Sequence, residues 1–306
     1  MRRGRKESKE GSSGAPSQGR EESMPAGLYV VATPIGNLGD ITARALEVLA
    51  HADVVAAEDT RVSRALLTHF GISARLVSLR EHNERAAAAR VLDWLEQGQA
   101  VALVSDAGTP AVSDPGAHVV ERALAAGYAV VPVPGPSALT AALSVSGVSA
   151  DGVVFAGFLP AKGKDRRQRL ADLAAGPWAI ALFESPHRVA ATLADLHVAL
   201  GDRDVVVARE LTKRFESIAR VPLREAVAWV AANEDRSRGE FVLVVEGREP
   251  ARAGVESAKV IEVLAEALPP SQAAALAARI TGESRGDLYR AALERAARKP
   301  RSPESR

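Results

Sequence analysis

The 306-residue sequence contains no cysteine, and this absence excludes disulfide frameworks and chemistry that depends on a thiolate. No apolar run approaches the roughly 20 residues of a membrane span. The N-terminus carries charge without the apolar stretch of a secretory signal peptide. The formal net charge is only +1, so no overall basic field points to nucleic acid. We therefore expect a cytoplasmic protein without membrane contact, whose nucleic-acid site, if present, depends on local clusters of charge.

Several common enzyme motifs are also missing. No two glycines stand two residues apart, which excludes the G-x-G-x-x-G fingerprint of dinucleotide-binding proteins. GFLPAKGKD at 157–165 differs from a phosphate-binding P-loop by one residue of spacing, and Asp165 stands where Ser or Thr would hold magnesium. There is no G-x-S-x-G elbow, and the six histidines lack the spacing of metal ligands. Any catalysis must therefore depend on carboxylates, basic residues and loop backbone, without a metal ion.

The distribution of apolar residues predicts three folded regions after a tail. Residues 1–25 hold too few apolar side chains to bury a core, and we expect them to be disordered. Short apolar strands then alternate with helices of about ten residues, a pattern typical of α/β folds with a parallel sheet. We predict an N-terminal α/β domain over 26–149, a C-terminal α/β domain over 150–249, and a helical region with a polar tail over 250–306.

The stretch VSDAGTPAVSDPG at 104–116 follows a buried strand predicted over Ala100–Val104. Pro110 and Pro115 lack amide hydrogens, so this stretch cannot continue as a central strand or a helix interior. Ligands of open α/β sheets lie outside the carboxyl ends of the strands. We therefore expect the segment Asp106–Pro110 to meet a small molecule, although an ordinary Gly/Pro turn remains the alternative.

Two further strand ends have the same composition. LYVVATPIGNLGD at 28–40 ends its strand in Thr33-Pro34, and VVPVPGPSALTAAL at 130–143 reaches Pro134-Gly135-Pro136 before a helix capped by Ser137. In a parallel sheet these three loops lie at the same edge. Three such loops together favour a ligand site much more than a single loop does.

Charged and polar residues cluster at two other strand ends, in EDTR at 58–61 and REHNE at 80–84. A helix cap explains one aspartate or threonine of the first cluster but not the whole set. The histidine of the second cluster is a candidate proton acceptor because an imidazole titrates near neutral pH, and a surface loop histidine is the alternative. The residues singled out here are Glu58, Asp59, Arg61, Arg64, His82, Asn83 and Glu84.

Basic residues concentrate in the second half of the chain. They lie on a predicted helix or arm over Lys162–Ala175 and after two strands, in FESPHR at 183–188 and ELTKRFE at 210–216. A run of charge is usually a solvated face, but this one is dense and flanked by glycines and a proline. A polyanionic substrate is therefore credible. The residues singled out are Lys162, Lys164, Arg166, Arg167, Arg188, Lys213 and Arg214.

These motifs together resemble the ribosomal small-subunit RNA cytidine 2′-O-methyltransferases of the tetrapyrrole-methylase superfamily. The segments that carry the resemblance follow one another in order: LYVVATPIGNLGDIT, AAEDTRVSRALL, EHNE, VSDAGTPAVSDPG, VPGPSA, FESPHR and ELTKRFE. TGESRGDLYRAAL at 281–293 is similar to the C-terminal helical piece of that family. It departs from the family pattern in Arg285-Gly286-Asp287, where a basic residue usually precedes the Leu-Tyr pair.

The resemblance implies two α/β domains of the tetrapyrrole-methylase type with S-adenosylmethionine in the cleft between them, a small C-terminal helical region, and a homodimer. The implied reaction is methyl transfer to the ribose 2′-hydroxyl of a cytidine in the decoding region of 16S ribosomal RNA, on the RNA or the small ribosomal subunit, without a metal. The residues expected to bind the cofactor are Thr33, Pro34, Asp106, Ala107, Gly108, Thr109, Pro134, Gly135, Pro136, Ser137, Ala138, Phe183 and Leu211.

Catalytic roles are expected for the two carboxylates Glu58 and Asp59, which would handle the proton, and for His82, which would orient the nucleotide. Each carboxylate has an alternative role, which is to hold Arg61 or Arg64 and so position the RNA. Substrate contacts are expected from Arg61, Arg64, Asn83, Glu84, Lys162, Lys164, Arg166, Arg167, Arg188, Lys213 and Arg214.

Two other functions fit the same sequence. One is methylation of a small tetrapyrrole on the same fold, against which the basic arm after Lys162 argues. The other is a non-catalytic RNA-binding module of the ribosome, against which the three cofactor-type loops argue.

Overall fold

The computed structural model describes residues 24–79, 84–148, 152–232, 238–248 and 257–298. These residues form two compact units that divide between Ala138 and Leu139. Residues 1–23 of the predicted tail and the predicted domain boundary at 149 and 150 lie outside the described residues.

The first unit is built on a five-stranded parallel sheet with the strand order β3-β2-β4-β1-β5. Val, Ala and Leu fill its central strands, which are buried on both faces as parallel strands usually are. The parallel sheet predicted from the alternation of strands and helices is therefore confirmed. Its strands are β1 (Gly27–Val31), β2 (Val54–Ala57), β3 (Leu76–Ser78), β4 (Ala100–Val104) and β5 (Val130–Val133).

Helices cover both faces of this sheet. Helices α1 (Ala43–His51) and α2 (Thr60–His69) pack on one face, where Val48, Leu49 and Leu67 join the core. Helices α3 (Glu84–Glu96) and α4 (Ala117–Ala125) pack on the other. Strand β1 therefore leads to one face and its neighbour β4 leads to the opposite face. Such a topological switch point is where open α/β sheets bind ligands, outside the carboxyl ends of the two strands.

Helix α5 (Ala138–Ser146) starts at the division between the units, and the second unit contains a mixed sheet with the order β6-β7-β10-β8-β9. Only β6 and β7 run parallel, and the other pairs are antiparallel. Strand β9 has no counterpart in the sequence prediction, because it is an edge strand in which half-buried and exposed residues alternate. The elements are β6 (Val153–Phe158), α6 (Gly163–Ala174), β7 (Ala179–Glu184), α7 (Val189–Leu200), β8 (Asp204–Arg209), β9 (Ser217–Pro222), α8 (Leu223–Ala231) and β10 (Phe241–Val245).

Three C-terminal helices, α9 (Ser257–Ala267), α10 (Pro270–Thr281) and α11 (Arg285–Arg298), share a small apolar core of their own. Gly282 ends α10 in the left-handed conformation, with φ 74°, and a short turn leads into α11. Within the described ranges, no helix is long and apolar enough to cross a membrane.

Candidate active site

The loops after β1 and β4 are joined by a backbone bridge between Thr33 and Gly108. The Thr33 amide donates to the Gly108 carbonyl at 2.9 Å, and the Gly108 amide donates to the Thr33 carbonyl at 3.0 Å. The buried Thr33 hydroxyl donates to the carbonyl of Ser105 at 3.2 Å. The sequence predicted Thr33 as a cofactor contact, and the structure shows that its side chain holds the two loops together.

The loop after β5 meets the same bridge. The Thr109 hydroxyl donates to the Pro136 carbonyl at 3.2 Å. Gly108 has a φ of 78°, and a Cβ built on it would lie 3.4 Å from Ile35 Cγ2. A Cβ built on Gly135 would lie 3.0 Å from the Cβ of Ala32. The three Gly- and Pro-rich loops are thus assembled at one sheet edge, where Gly108 has a backbone conformation that favours glycine and Gly135 is closely packed against Ala32.

Two hydrogen bonds connect the ends of β2 and β4, one between Asp106 and Glu58 and one between Asp59 and Asp106. The Asp106 amide donates to Glu58 Oε2 at 3.3 Å, and the Asp59 amide donates to Asp106 Oδ1 at 2.9 Å. The sequence singled out Glu58 and Asp106 from separate motifs, and the parallel sheet brings them together because their strands are neighbours. The Glu58 carboxylate therefore lies beside the predicted cofactor loop.

Burial raises the pKa of Glu58, and the negative charges of Asp106, Asp114 and Asp59 raise it further, while the Asp106 amide opposes the change. Burial likewise raises the pKa of Asp114, which also faces the charge of Asp106 and accepts a hydrogen bond from Ser105. Sequence reasoning did not select Asp114. The available signal was the second Asp-Pro-Gly half of the motif at 104–116.

Asp59 has a different environment from Glu58. Its Oδ1 accepts the Arg61 amide at 2.8 Å as the cap of α2, and its Oδ2 pairs with Arg61 Nη2 at 2.5 Å. The Arg61 side chain is otherwise exposed, and its hydrogen bond to Asp59 raises its pKa. The predicted carboxylate pair therefore separates into Glu58, which faces other carboxylates, and Asp59, which holds an arginine. Arg64 is exposed on the same helix.

His82 and Asn83 lie outside the described residues, and their roles stay predictions. Glu84 is the first residue of α3, so it follows β3 at the carboxyl edge of the sheet.

The basic residues of α6 divide into two groups. Lys162, Lys164 and Arg167 are exposed, although Arg167 Nη1 lies 3.7 Å from Asp195, whereas Arg166 is only 7% exposed. The Arg166 guanidinium donates to Asp195 of α7 at 2.8 Å through Nε and lies 2.7 Å away through Nη2. Its charge joins two helices of the second unit, so we leave Arg166 out of the RNA-binding set proposed below.

Arg188 also forms contacts within the second unit. Its Nη2 donates to the carbonyls of Leu159 at 2.5 Å and Pro160 at 3.2 Å. Its Nε lies 3.3 Å from the buried Glu184 carboxylate, which accepts the Thr192 hydroxyl at 2.6 Å. Arg188 of the segment FESPHR therefore binds the backbone that leads from β6 into α6. The sequence assigned this arginine to the substrate, but its guanidinium is engaged in these contacts.

The remaining predicted residues of the second unit lie near the ends of β7 and β8. Phe183 is half-buried, with its ring centroid 4.9 Å from that of Phe155. Leu211 is buried. Lys213 Nζ pairs with Glu210 at 2.9 Å and with Glu240 at 2.8 Å. As cofactor contacts, Phe183 and Leu211 stay predictions.

Two family profiles match the chain. Residues 27–227 match the tetrapyrrole (corrin/porphyrin) methylases. Residues 251–296 match the RsmI C-terminal HTH domain, which coincides with the helices α9 to α11.

Curated relatives match most of the chain. A protein of Escherichia coli O157:H7 is 49% identical over 270 residues, which span 87% of this chain and 94% of that protein. A protein of Pseudomonas aeruginosa is 49% identical over 278 residues, which span 89% of this chain and 99% of that protein. Both are named ribosomal RNA small subunit methyltransferase I.

Solved structures of lower identity share the fold. The cobalt precorrin-4 methyltransferase CbiF superposes with a TM-score of 0.53 at 22% identity, over 72% of this chain and 94% of its own. The methyltransferase CobJ gives a TM-score of 0.55 at 21% identity over the same shares. Uroporphyrin-III C-methyltransferase from Thermus thermophilus, complexed with S-adenyl homocysteine, gives 0.50 at 20% identity, over 72% of this chain and 96% of its own.

Proposed function

The chain belongs to the ribosomal RNA small subunit methyltransferase I family of the tetrapyrrole methylases, and we propose that it methylates the ribose 2′-hydroxyl of a cytidine in the decoding region of 16S ribosomal RNA. The methyl donor is S-adenosylmethionine, and the acting form is a homodimer on the small ribosomal subunit. The observation that carries the choice of a hydroxyl acceptor is the Glu58 carboxylate, whose pKa is raised beside the cofactor-type loops.

The loops of the first unit fit S-adenosylmethionine. A dinucleotide fingerprint is not needed for this cofactor, but backbone amides and carbonyls must be accessible at loop edges. Gly108 and Gly135 let the backbone of their loops approach the cofactor closely: Gly108 has a φ of 78°, which favours glycine, and a Cβ on Gly135 would lie only 3.0 Å from the Cβ of Ala32. The carboxylates at the same edge suit the positive sulfonium. In our proposal Asp106–Thr109 and Pro134–Ala138 bind the cofactor, and Thr33-Pro34 forms the floor of the site beneath the methyl group.

The bound cofactor supplies an electrophilic methyl group. The protein must align the hydroxyl with it and accept the hydroxyl proton. Glu58 takes the proton in our proposal, because burial and neighbouring carboxylates raise its pKa and make its ionised form a stronger base than an ordinary glutamate. Asp59 keeps the role of positioning Arg61, whose guanidinium is paired with Asp59 but is 83% exposed, so its outer face can also meet an RNA phosphate.

The exposed cations at the start of α6 are the proposed phosphate contacts of this unit. Replacing Lys162, Lys164 and Arg167 with Ala should weaken RNA binding and flatten the plot of log affinity against log salt. Each lost phosphate contact lowers that slope by roughly 0.7 to 0.9. Filter binding of a decoding-region RNA at several salt concentrations measures the change.

The matched control is Arg224→Ala, because Arg224 is an exposed arginine of the same unit that already pairs with Asp202. It should leave the slope unchanged, and all variants should bind S-adenosylmethionine normally. An unaltered slope in the triple variant would show that the start of α6 is only a solvated face.

Two experiments separate the proposed enzyme from the two rival functions. Calorimetry with S-adenosylmethionine should show binding, which a non-catalytic RNA-binding module would lack. Incubation with labelled S-adenosylmethionine and unmodified small subunits should transfer the label to RNA. Ribonuclease should then convert this acid-insoluble label into acid-soluble fragments. Label that instead enters an added tetrapyrrole, with none in RNA, would support the small-molecule methylase.

A further inference from the structure

The turn between β8 and β9, residues 210–216, exposes a large aromatic side chain. Phe215 is 66% exposed, more than any other Phe, Tyr or Trp side chain among the described residues. Burying a phenylalanine is strongly favourable, so a fully formed turn that holds one in water is a candidate contact surface.

The β8–β9 turn holds Phe215 in a fixed backbone conformation. The buried Arg209 donates through Nη1 to the Phe215 carbonyl at 3.2 Å. The Thr212 amide donates to the Glu216 carboxylate at 2.6 Å. Glu210 and Thr212 have φ values of 52° and 66°, which are unfavourable for residues other than glycine. Such strain persists where surrounding contacts fix the backbone, and it is concentrated at functional sites.

A second set of contacts anchors the β8–β9 turn to the segment before β10. The Glu210 carboxylate accepts Lys213 Nζ at 2.9 Å and the Glu240 amide at 2.9 Å. Lys213 Nζ also donates to the Glu240 carboxylate at 2.8 Å. These contacts neutralise Lys213 within the unit. The cation of the turn that remains for a partner is therefore Arg214.

Arg214 lies next to the exposed ring. Its guanidinium carbon is 5.4 Å from the Phe215 ring centroid, a cation–π distance. Within the described part of the chain, Arg214 has no carboxylate partner. An aromatic face beside a free guanidinium is the combination with which proteins stack an unpaired nucleobase and hold its phosphate.

We propose that the β8–β9 turn is a base-stacking platform, on which Phe215 stacks an unpaired base of the RNA substrate and Arg214 holds the adjoining phosphate. The proposal rests on the proposed function, because it takes RNA as the substrate. The Arg214 guanidinium beside the ring favours a nucleic-acid strand over an apolar protein surface, while the Glu216 carboxylate is held within the turn by the Thr212 amide.

Steady-state methylation of unmodified small subunits at saturating S-adenosylmethionine tests the platform. Phe215→Ala should raise KM for the subunit about 10-fold, as expected for the loss of one stacked base, with little change in kcat. Phe215→Tyr should restore the wild-type KM, and Arg214→Ala should raise KM and flatten its salt dependence. Val198→Ala is the matched control, because Val198 is a 78% exposed apolar residue of the same unit, and it should change nothing.

The outcomes distinguish this proposal from the proposed function. Methylation by Phe215→Ala with a wild-type KM overturns the platform and leaves the enzyme assignment intact. If the wild-type protein transfers no methyl group to RNA, the function fails. The platform is then judged by fluorescence anisotropy with a labelled decoding-region RNA, where an unchanged Kd in Phe215→Ala overturns it. Sedimentation that shows Phe215→Ala converting a dimer into monomers also overturns it, since the ring would then anchor a second copy.

Discussion

Gly108→Val should abolish S-adenosylmethionine binding while the protein stays folded. The backbone of Gly108 forms the bridge to Thr33 at the switch point of the sheet, with a φ of 78°. A Cβ at this position would lie 3.4 Å from Ile35 Cγ2 and 3.9 Å from the Pro136 carbonyl oxygen, so a branched side chain would occupy the space between the loops. Calorimetry with S-adenosylmethionine should show at least a 100-fold loss of affinity, about 2.7 kcal/mol.

The matched control for Gly108→Val is Gly127→Val. Gly127 has a φ of 79°, almost the same as that of Gly108, but nothing lies within 4 Å of the position that a Cβ would take there. The two variants share the conformational strain and differ in the space that the side chain would fill. Both should lower the melting temperature by similar amounts, and only Gly108→Val should lose the cofactor. Equal affinity in both variants would contradict the assignment of this loop.

Glu58→Gln should lower the single-turnover rate of methylation by about 10²–10⁴-fold, the usual contribution of a general base. The amide keeps the shape of the side chain and still accepts the Asp106 amide through its oxygen, so the fold and cofactor affinity should be unchanged. Asp59→Asn should have a smaller effect on the rate and a larger effect on the KM for RNA, because Asp59 holds Arg61.

The pH dependence gives a second test of Glu58. Its ionised form accepts the proton, so the rate should fall as the pH is lowered through its pKa. Because that pKa is raised from 4.5, the fall should begin at a higher pH than for an ordinary glutamate. Glu58→Gln should remove this dependence. If Glu58→Gln and Asp59→Asn both keep near wild-type rates and only His82→Ala is slow, then His82 is the base.

Strand positions were predictable because buried strands consist of short apolar runs between loop residues. Strand β4 has the bounds Ala100–Val104 that its apolar run predicts. Edge strand β9 was not predictable, because its exposed face carries both an apolar residue, Ile218, and a charged one, Arg220, so it lacks a clear alternation of apolar and polar residues, and its pairing with β8 leaves no local signal in the sequence. The mixed direction of the second sheet was missed for the same reason, since strand direction depends on tertiary pairing.

The loops that form the candidate site were predictable from the sequence, but the hydrogen-bond and ion-pair partners of its side chains were not. A parallel sheet places its strand ends at one edge, so the meeting of Glu58 with Asp106 follows from neighbouring strands. The sequence could not show that Arg166 turns inward to Asp195 or that Arg188 clamps backbone carbonyls. The sequence does not distinguish an arginine that binds phosphate from one that forms an ion pair within the fold, because the difference depends on how the side chain packs.

The most direct test of the central claim is analysis of the methylated nucleoside. Small subunits that lack the modification are incubated with the protein and labelled S-adenosylmethionine, and their 16S RNA is digested to nucleosides for chromatography and mass spectrometry. We predict a single labelled product that carries the methyl group on the ribose of cytidine, and its loss in Glu58→Gln. The account would be contradicted by a label on a base, by a label on another nucleoside, or by the absence of label from the RNA.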